Sequence, residues 1–406
     1  MGRKRIITCQ GSIQLVAALA ALNYRSNEQT QFQYEYDDVL VIYDLYAPPG
    51  QTPEFASFVE KMAHRIWEWR KIVYITPEQM NQAAATLTNA PRKTVFDFVY
   101  DVVGSAKTDE IFLCRNWQFG NKLLINAYRR AEKICYGDSI GIYFSEAYFG
   151  LPVSANNGAP DLSWRRELGT LKNRLVARLK SIRPLEEIGF DAGYFLLPDI
   201  LGEVPPMKTV LVNQQYYLDI FQKLGSLLDD EFVTSIRARI SGRPVVVLMT
   251  SNFAEAERMT SENEIAAYKE FLENLECDKE SVLIIKPHPR ESEAKIHKLK
   301  SVLGDLFPEP ILLADPNLFF VPFEIFLLRA VLNESTRVPQ DLKIVTFSTA
   351  CLAPAVLFDV RPIVGFGADL VNKYFYKDHA ARRNRHELDL QQAVSRLTEC
   401  VPLTIA

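Results

Sequence analysis

Val282-Leu283-Ile284-Ile285 runs straight into Lys286-Pro287-His288-Pro289-Arg290-Glu291, which sets an ammonium, an imidazole and a guanidinium within five positions. The four apolar, mostly β-branched residues read as a buried strand. Proline has no amide donor for a central strand, so the strand must stop here. Each proline also pushes the residue before it into extended backbone, which keeps Lys286 and His288 out of helix. In open α/β sheets, ligands bind at the carboxyl ends of the strands, and a stiff cationic exit there suits a phosphate. The competing reading is a polar loop with a solvated histidine. None of the other histidines (His64, His297, His379, His386) directly follows a buried strand.

Three further groups could do chemistry. Lys343 to Phe347 reads as a strand followed by Ser348-Thr349, and Pro354 fits the first turn of the next helix. Hydroxyls and unpaired amides at such a turn bind phosphate, although capping alone would explain one of them. Glu324, in Pro322-Phe323-Glu324, is an acid in an apolar segment. It must find donors, and ribose hydroxyls or Arg329 would serve. Asp138, in Cys135-Tyr136-Gly137-Asp138-Ser139, lies at a strand end where it could take a proton from an attacking hydroxyl, and Glu146 is a second candidate for that work. A plain turn containing Gly and Asp is the alternative.

These groups need strands to carry them. Arg5–Cys9, a Gln10-Gly11-Ser12 turn with Ser12 as N-cap, and a helix from Ile13 to Asn23 read as the first unit of a doubly wound sheet. Strands at Val39–Tyr43, Lys71–Tyr74, Asp109–Cys114 and Glu132–Tyr136 continue the alternation, with helices at about 53–69 and 118–131. The pattern decays from Leu151 to Pro206 and resumes at Thr209–Val212, Val245–Met249, the His288 strand, Ile311–Leu313, Lys343–Phe347 and Pro362–Gly365. Alternating strands and helices predict mainly parallel sheets. The expected halves are 1–205 and 206–385, with a closing helix in 386–406.

The 406 residues suffice for two ordinary domains, and the composition is globular, with 48% hydrophobic and 24% charged residues. A net charge of −4 lacks the footprint of a nucleic-acid binder. Six scattered cysteines without a CxxC pair predict reduced, buried thiols and a cytoplasmic chain. The longest apolar stretch, Leu318 to Leu332, contains Pro322, Glu324 and Arg329 and does not span a membrane. The expectation is a soluble chain, or at most one lying against the inner membrane face. Walker A, HExxH and GxSxG arrangements are absent, as is an Asp-x-Asp strand-end loop for a metal. Asp37-Asp38 and Asp229-Asp230 are adjacent pairs instead. No metal and no cofactor are expected.

TCQGSIQLVAALAAL, YGDS, IIKPHP, PFE and FSTA, in this order, resemble the bacterial sialyltransferase and polysialyltransferase families of the GT-B fold. The resemblance implies two Rossmann-type domains with mainly parallel sheets facing a central cleft, acceptor on the first and donor on the second. It implies inverting transfer of a sialic-acid-type sugar from a CMP-activated donor to a hydroxyl on a glycan or glycolipid. In that family His288 would assist the departing phosphate, with Lys286 and Pro289 beside it. Glu324 would bind the ribose, and Ser348 and Thr349 the phosphate. Gln10, Gly11, Ser12 and Glu146 would be weaker donor or acceptor contacts. The family's acidic motif is two acids and then Gly. Here Gly137 precedes the single acid Asp138, so the base is Asp138 or Glu146. A transferase using a UDP- or GDP-sugar and a non-catalytic nucleotide-sugar-binding protein are the rival readings.

Overall fold

The structure is a computed structural model that describes residues 2–28, 35–48, 50–137, 185–186, 188–197, 207–278, 280–332 and 341–399. Two compact units divide the chain: Met1–Leu45 with Val59–Asn213, and Tyr46–Phe58 with Gln214–Ala406. Each unit holds one parallel sheet, and both are Rossmann-type α/β arrangements.

The first sheet is built from β1 (Arg3–Cys9), β2 (Tyr36–Ile42), β3 (Lys71–Tyr74), β4 (Glu110–Leu113), β5 (Glu132–Cys135), β6 (Ala192–Phe195) and β7 (Lys208–Leu211). Their order is β3-β2-β1-β4-β5-β6-β7. The direction of winding therefore switches between β1 and β4, whose carboxyl ends carry Gln10 and Cys114. Two expectations change here. The strand read at Thr209–Val212 closes this first sheet by pairing with β6, rather than opening the second half. The short β6 has no β-branched run to announce it, and its Gly193 makes room for a neighbour: a Cβ there would sit 2.2 Å from the Phe195 ring.

The second sheet comprises β8 (Val245–Met249), β9 (Val282–Lys286), β10 (Ile311–Leu312), β11 (Leu342–Thr346) and β12 (Ile363–Val364), in the order β10-β9-β8-β11-β12. Helices cover both faces of such a sheet, which is why β8 and the first four residues of β9 are unbroken apolar runs and both strands are buried throughout. The register pairs Met249 with Lys286 and Thr346 with Met249. The chain exits carrying Thr250, His288 and Ser348 consequently share one edge of this sheet. The closing helix is longer than expected, Lys377–Glu399, and belongs to the second unit.

Arg5, on β1, is buried. Its guanidinium donates to both Asp38 carboxylate oxygens at 2.7 Å and to Ser26 at 2.8 Å, tying β1 to β2. Asp38 also accepts from the Trp67 indole, while Asp37 pairs with Arg70. Asp229 caps the helix Asp230–Ile240. Both acidic pairs thus have structural work. Among the described residues no His/Cys/Asp/Glu group is placed to hold a metal, and no helix is long and apolar enough to cross a membrane. Cys9, Cys114, Cys135 and Cys351 are buried free thiols. Removing one partner of a buried ion pair strands the other charge. Arg5→Ala is therefore expected to lower unfolding free energy by about 3–5 kcal/mol in urea titrations, against less than about 1 kcal/mol for Lys93→Ala, whose pair with Asp97 is exposed.

Candidate functional site

The Lys-Pro-His-Pro exit is a tight, internally bonded turn. Its ends are joined by the Glu291 amide donating to the His288 carbonyl at 3.0 Å. The His288 amide in turn donates to Glu291 Oε2 at 2.6 Å, and the Arg290 amide to His288 Nδ1 at 3.1 Å. An imidazole nitrogen that accepts an N–H carries no proton of its own. The neutral His288 ring therefore bears its hydrogen on Nε2. Burial, reinforced by Arg290, Lys286 and Lys295, pulls its pKa down to about 4. His288 at neutral pH is an uncharged Nε2–H donor.

Lys286 ends β9 with its ammonium buried, 3.5 Å from the Phe319 carbonyl and 5.0 Å above the Phe319 ring. Desolvation lowers its pKa to about 8, opposed first by Glu324 and then by Glu291. Burial pushes the Glu324 carboxyl up to about 7, opposed by its own backbone amide and by Lys286. Arg329 meanwhile donates to the Gly225 and Leu228 carbonyls and to Asp230. The cation that tempers Glu324 is thus Lys286. An under-solvated ammonium beside an under-solvated acid is a pair that an incoming phosphate and hydroxyl would relieve.

Ser348 follows β11 and accepts the Ala350 amide at 3.3 Å, capping a single 3₁₀ turn, Thr349–Cys351, that leads into the helix Leu352–Phe358. Pro354 sits in that helix's first turn, as expected. Two residues of the closing helix hold this exit. Arg383 donates to the Phe347 carbonyl at 2.9 Å and to Glu387 at 2.7 Å, and Glu387 accepts the amides of Phe366 and Gly367 after β12. Nothing local in the segment HAARRNRHEL marks these contacts, because the backbone partners lie 20 to 36 positions away in sequence.

In the first unit, Gln10 is fully buried. Its Oε1 accepts from the Cys114 thiol at 3.0 Å across the switch between β1 and β4, while its Nε2 has no hydrogen-bond partner among the described residues. The first helical bond runs from the Leu15 amide to the Gly11 carbonyl, so Gly11 occupies the N-cap position and Ser12 opens the helix Ser12–Glu28. That corrects the placement of Ser12: glycine tolerates the cap almost as well as serine. Tyr136 is buried and donates to the Thr8 carbonyl, and Gly137 takes φ +79°. Asp138 and Glu146 lie outside the described residues.

The second unit thus gathers Lys286, His288 and Pro289 on one strand exit, Glu324 beside Lys286, and Ser348 with Thr349 on an exit at the same sheet edge. Sequence reading missed the groups beneath the His288 turn. Glu291 accepts from the Thr250 hydroxyl as well as from the His288 amide, and Lys295 lies 3.1 Å from its other oxygen. The available signal was a Glu-to-Lys pair four residues apart, the spacing at which helix side chains meet.

The sequence model of the alpha-2,8-polysialyltransferase (POLYST) family matches residues 6–305. The chain belongs to this family. The polysialyltransferase match spans the Gln10, Asp138 and His288 motifs and stops before Glu324 and Ser348. Membership makes the protein a glycosyltransferase. A comparison with curated protein sequences finds no match. Solved structures similar to this family member include a putative UDP-N-acetylglucosamine 2-epimerase from Listeria monocytogenes, with 11% identity, TM-score 0.48, and 98% of this chain and 91% of that one covered. The UDP-GlcNAc 2-epimerase of Neisseria meningitidis bound to UDP-GlcNAc has 10% identity, TM-score 0.47 and coverage of 98% and 92%. An E. coli heptosyltransferase with ADP-2-deoxy-2-fluoro heptose has 11% identity, TM-score 0.39 and coverage of 89% and 88%.

The depressed pKa of His288 has a consequence for this polysialyltransferase-family chain. Between pH 6.5 and about 4 the unfolded chain protonates this histidine and the folded chain does not, so stability falls as pH drops through that window. His288→Asn removes that contribution. The stability of the natural protein relative to the variant is expected to decrease between pH 7 and 4.5 in urea titrations. A difference that stays constant would contradict it.

Proposed function

We propose that this glycosyltransferase moves a sialic-acid-type sugar from a CMP-activated donor to a hydroxyl on a glycan or glycolipid, with inversion. The observation that carries the reading is the His288 turn, a rigid exit that presents an Nε2–H donor with the buried Lys286 ammonium at its base. In this reading the acceptor oxygen bonds to the anomeric carbon as the bond from that carbon to the phosphate oxygen breaks. The acceptor proton passes to Asp138 or Glu146. Charge collecting on the departing CMP phosphate is met by His288 Nε2–H, Lys286, and the hydroxyls and amides at Ser348 and Thr349. Pro289 keeps the turn rigid, and Glu324 accepts from ribose hydroxyls. Gln10, Gly11 and Ser12 contact the sugar or acceptor.

Two further points belong to the proposal. A CMP donor has a single phosphate, and protein cations can balance its charge, so turnover needs no metal. The protein works at the cytoplasmic side, free or against the inner membrane face, where such donors and lipid-linked acceptors meet.

The test is CMP release from CMP-sialic acid with an acceptor present, run in EDTA, beside calorimetry with CMP, UDP and GDP. CMP binding and chelator-resistant turnover are expected, with His288→Ala lowering turnover about 10²-fold or more. A preference for UDP or GDP, or rescue by Mg²⁺, would favour a sugar-diphosphate transferase; CMP binding without turnover would favour a binding protein.

The base is decided separately. Asp138 directly follows the strand exit and is expected to be it. Asp138→Asn should abolish acceptor-dependent transfer and leave CMP affinity nearly unchanged, while Glu146→Gln stays active. The reverse pattern would assign the base to Glu146.

A further inference from the structure

The bond that fixes His288 comes from outside the Lys-Pro-His-Pro motif. Glu291 Oε2 accepts two hydrogens, one from the His288 backbone amide at 2.6 Å and one from the hydroxyl of Thr250, the residue just past β8. Oε1 faces the Lys295 ammonium at 3.1 Å. Lys295 is buried on the helix Glu293–Leu303 and also pairs with Glu264 and Glu255 at 2.8 Å each. Glu255 returns to the turn by accepting the Ser292 amide at 2.9 Å. Both amides that flank the turn, at 288 and 292, are therefore held by carboxylates that share one ammonium.

Geometry explains why a carboxyl group is used. The lone pairs of one carboxylate oxygen here serve two donors, the His288 amide and the Thr250 hydroxyl, whether the other oxygen carries a proton or not. The same turn sets the ring. Its Arg290 amide reaches Nδ1 only while the backbone from His288 to Glu291 stays in this conformation, and that bond is what leaves the proton on Nε2. Losing the Glu291 oxygen would free the His288 amide and let both the turn and the tautomer vary.

We propose that Glu291 is a positioning residue for His288, holding the backbone of the turn so that Nε2–H points where the donor phosphate binds, with Thr250 and Lys295 orienting the carboxylate. This rests on the reading of His288 as the group that meets the phosphate. The titratable groups around Glu291 are Lys295, Glu264, Glu255, Tyr268 and Lys286, and burial raises its own pKa to about 7.

The experiment compares Glu291→Ala, Glu291→Gln, Thr250→Val and His288→Ala in the full chain. Turnover per folded molecule and donor KM are measured with CMP-sialic acid, and the His288 tautomer by NMR of ring-labelled histidine. The expected result is a kcat lowered about 10²-fold by Glu291→Ala, about 10-fold by Glu291→Gln and a few-fold by Thr250→Val. Donor KM should stay within about 3-fold, and the His288 signal should change from one tautomer to a mixture. Thr250→Val and Glu291→Gln should combine non-additively, because they break one bonded unit. Should Glu291→Ala fail to fold, Glu291→Gln and Thr250→Val decide the matter by the same readouts. Variants that lose thermal stability but keep natural kcat and a single His288 tautomer would overturn the inference while His288→Ala remains inactive. An active His288→Ala would overturn the reading of the site and this inference with it.

Discussion

One buried ammonium organises the second unit's candidate site. Lys295 meets three carboxylates from three places: the loop after β8, the helix Ser261–Asn274 and the turn after β9. A single positive charge cannot neutralise three acids, and the imbalance shows in their titration. Burial pushes Glu291 and Glu264 up despite Lys295. Burial acts on Glu255 too, but bonds from Lys295 and Ser292 outweigh it and leave that carboxyl low. Lys295 in turn is held charged, its partners outweighing its own desolvation. Breaking any arm of such a cluster leaves a buried charge uncompensated, so its geometry is strongly specified.

The opposite flank of the same sheet edge is held by different means. Phe347, just before Ser348, lies against Phe366 at a tilt of 32° with ring centroids 4.1 Å apart, and Phe253, Tyr268 and Phe271 pack around them. The Arg383 guanidinium carbon lies over the Phe253 ring at 4.7 Å while two of its nitrogens reach Phe347 and Glu387. Gly365 fits because it has no side chain: at φ +85° a Cβ would sit 2.4 Å from the Glu387 carboxyl. The Ser348 exit is thus set by an aromatic core and a helix-borne ion pair, the His288 exit by an ionic cluster.

How much of this the sequence made legible follows the range of the interactions. Proline acts on its own residue and the one before it, so the strand's stop at Lys286 and a non-helical His288 could be read directly. The same holds for Pro354 in a first helical turn and for the continuous β-branched runs of buried parallel strands. Lys295 and its acids meet across separations of up to 40 positions, and nothing local marks Glu264 or Glu255 as its partners. Arg383 and Glu387 have helical spacing, which reads as a surface pair until the elements they reach are known. The short β6 escaped because Ala-Gly-Tyr-Phe has no pattern of its own; sheet pairing makes it a strand.

The division between the units passes through the middle of one helix, Thr52–Ile66, between Phe58 and Val59. The segment before it belongs to the second unit, where Phe55 and Phe58 pack on Phe320 at 5.1 and 5.7 Å, next to the Phe319 carbonyl that receives Lys286. A ribosome makes those two rings about 260 residues before Phe320. At about 5–20 residues per second they wait roughly 10–50 s for their partner. The first unit can complete its sheet in that interval, but the second cannot close until an early piece of chain has been held back for it. Its assembly is therefore tied to the order of synthesis, and a gene cut at the unit boundary near residue 213 would separate the Lys286 support from the rings that back it.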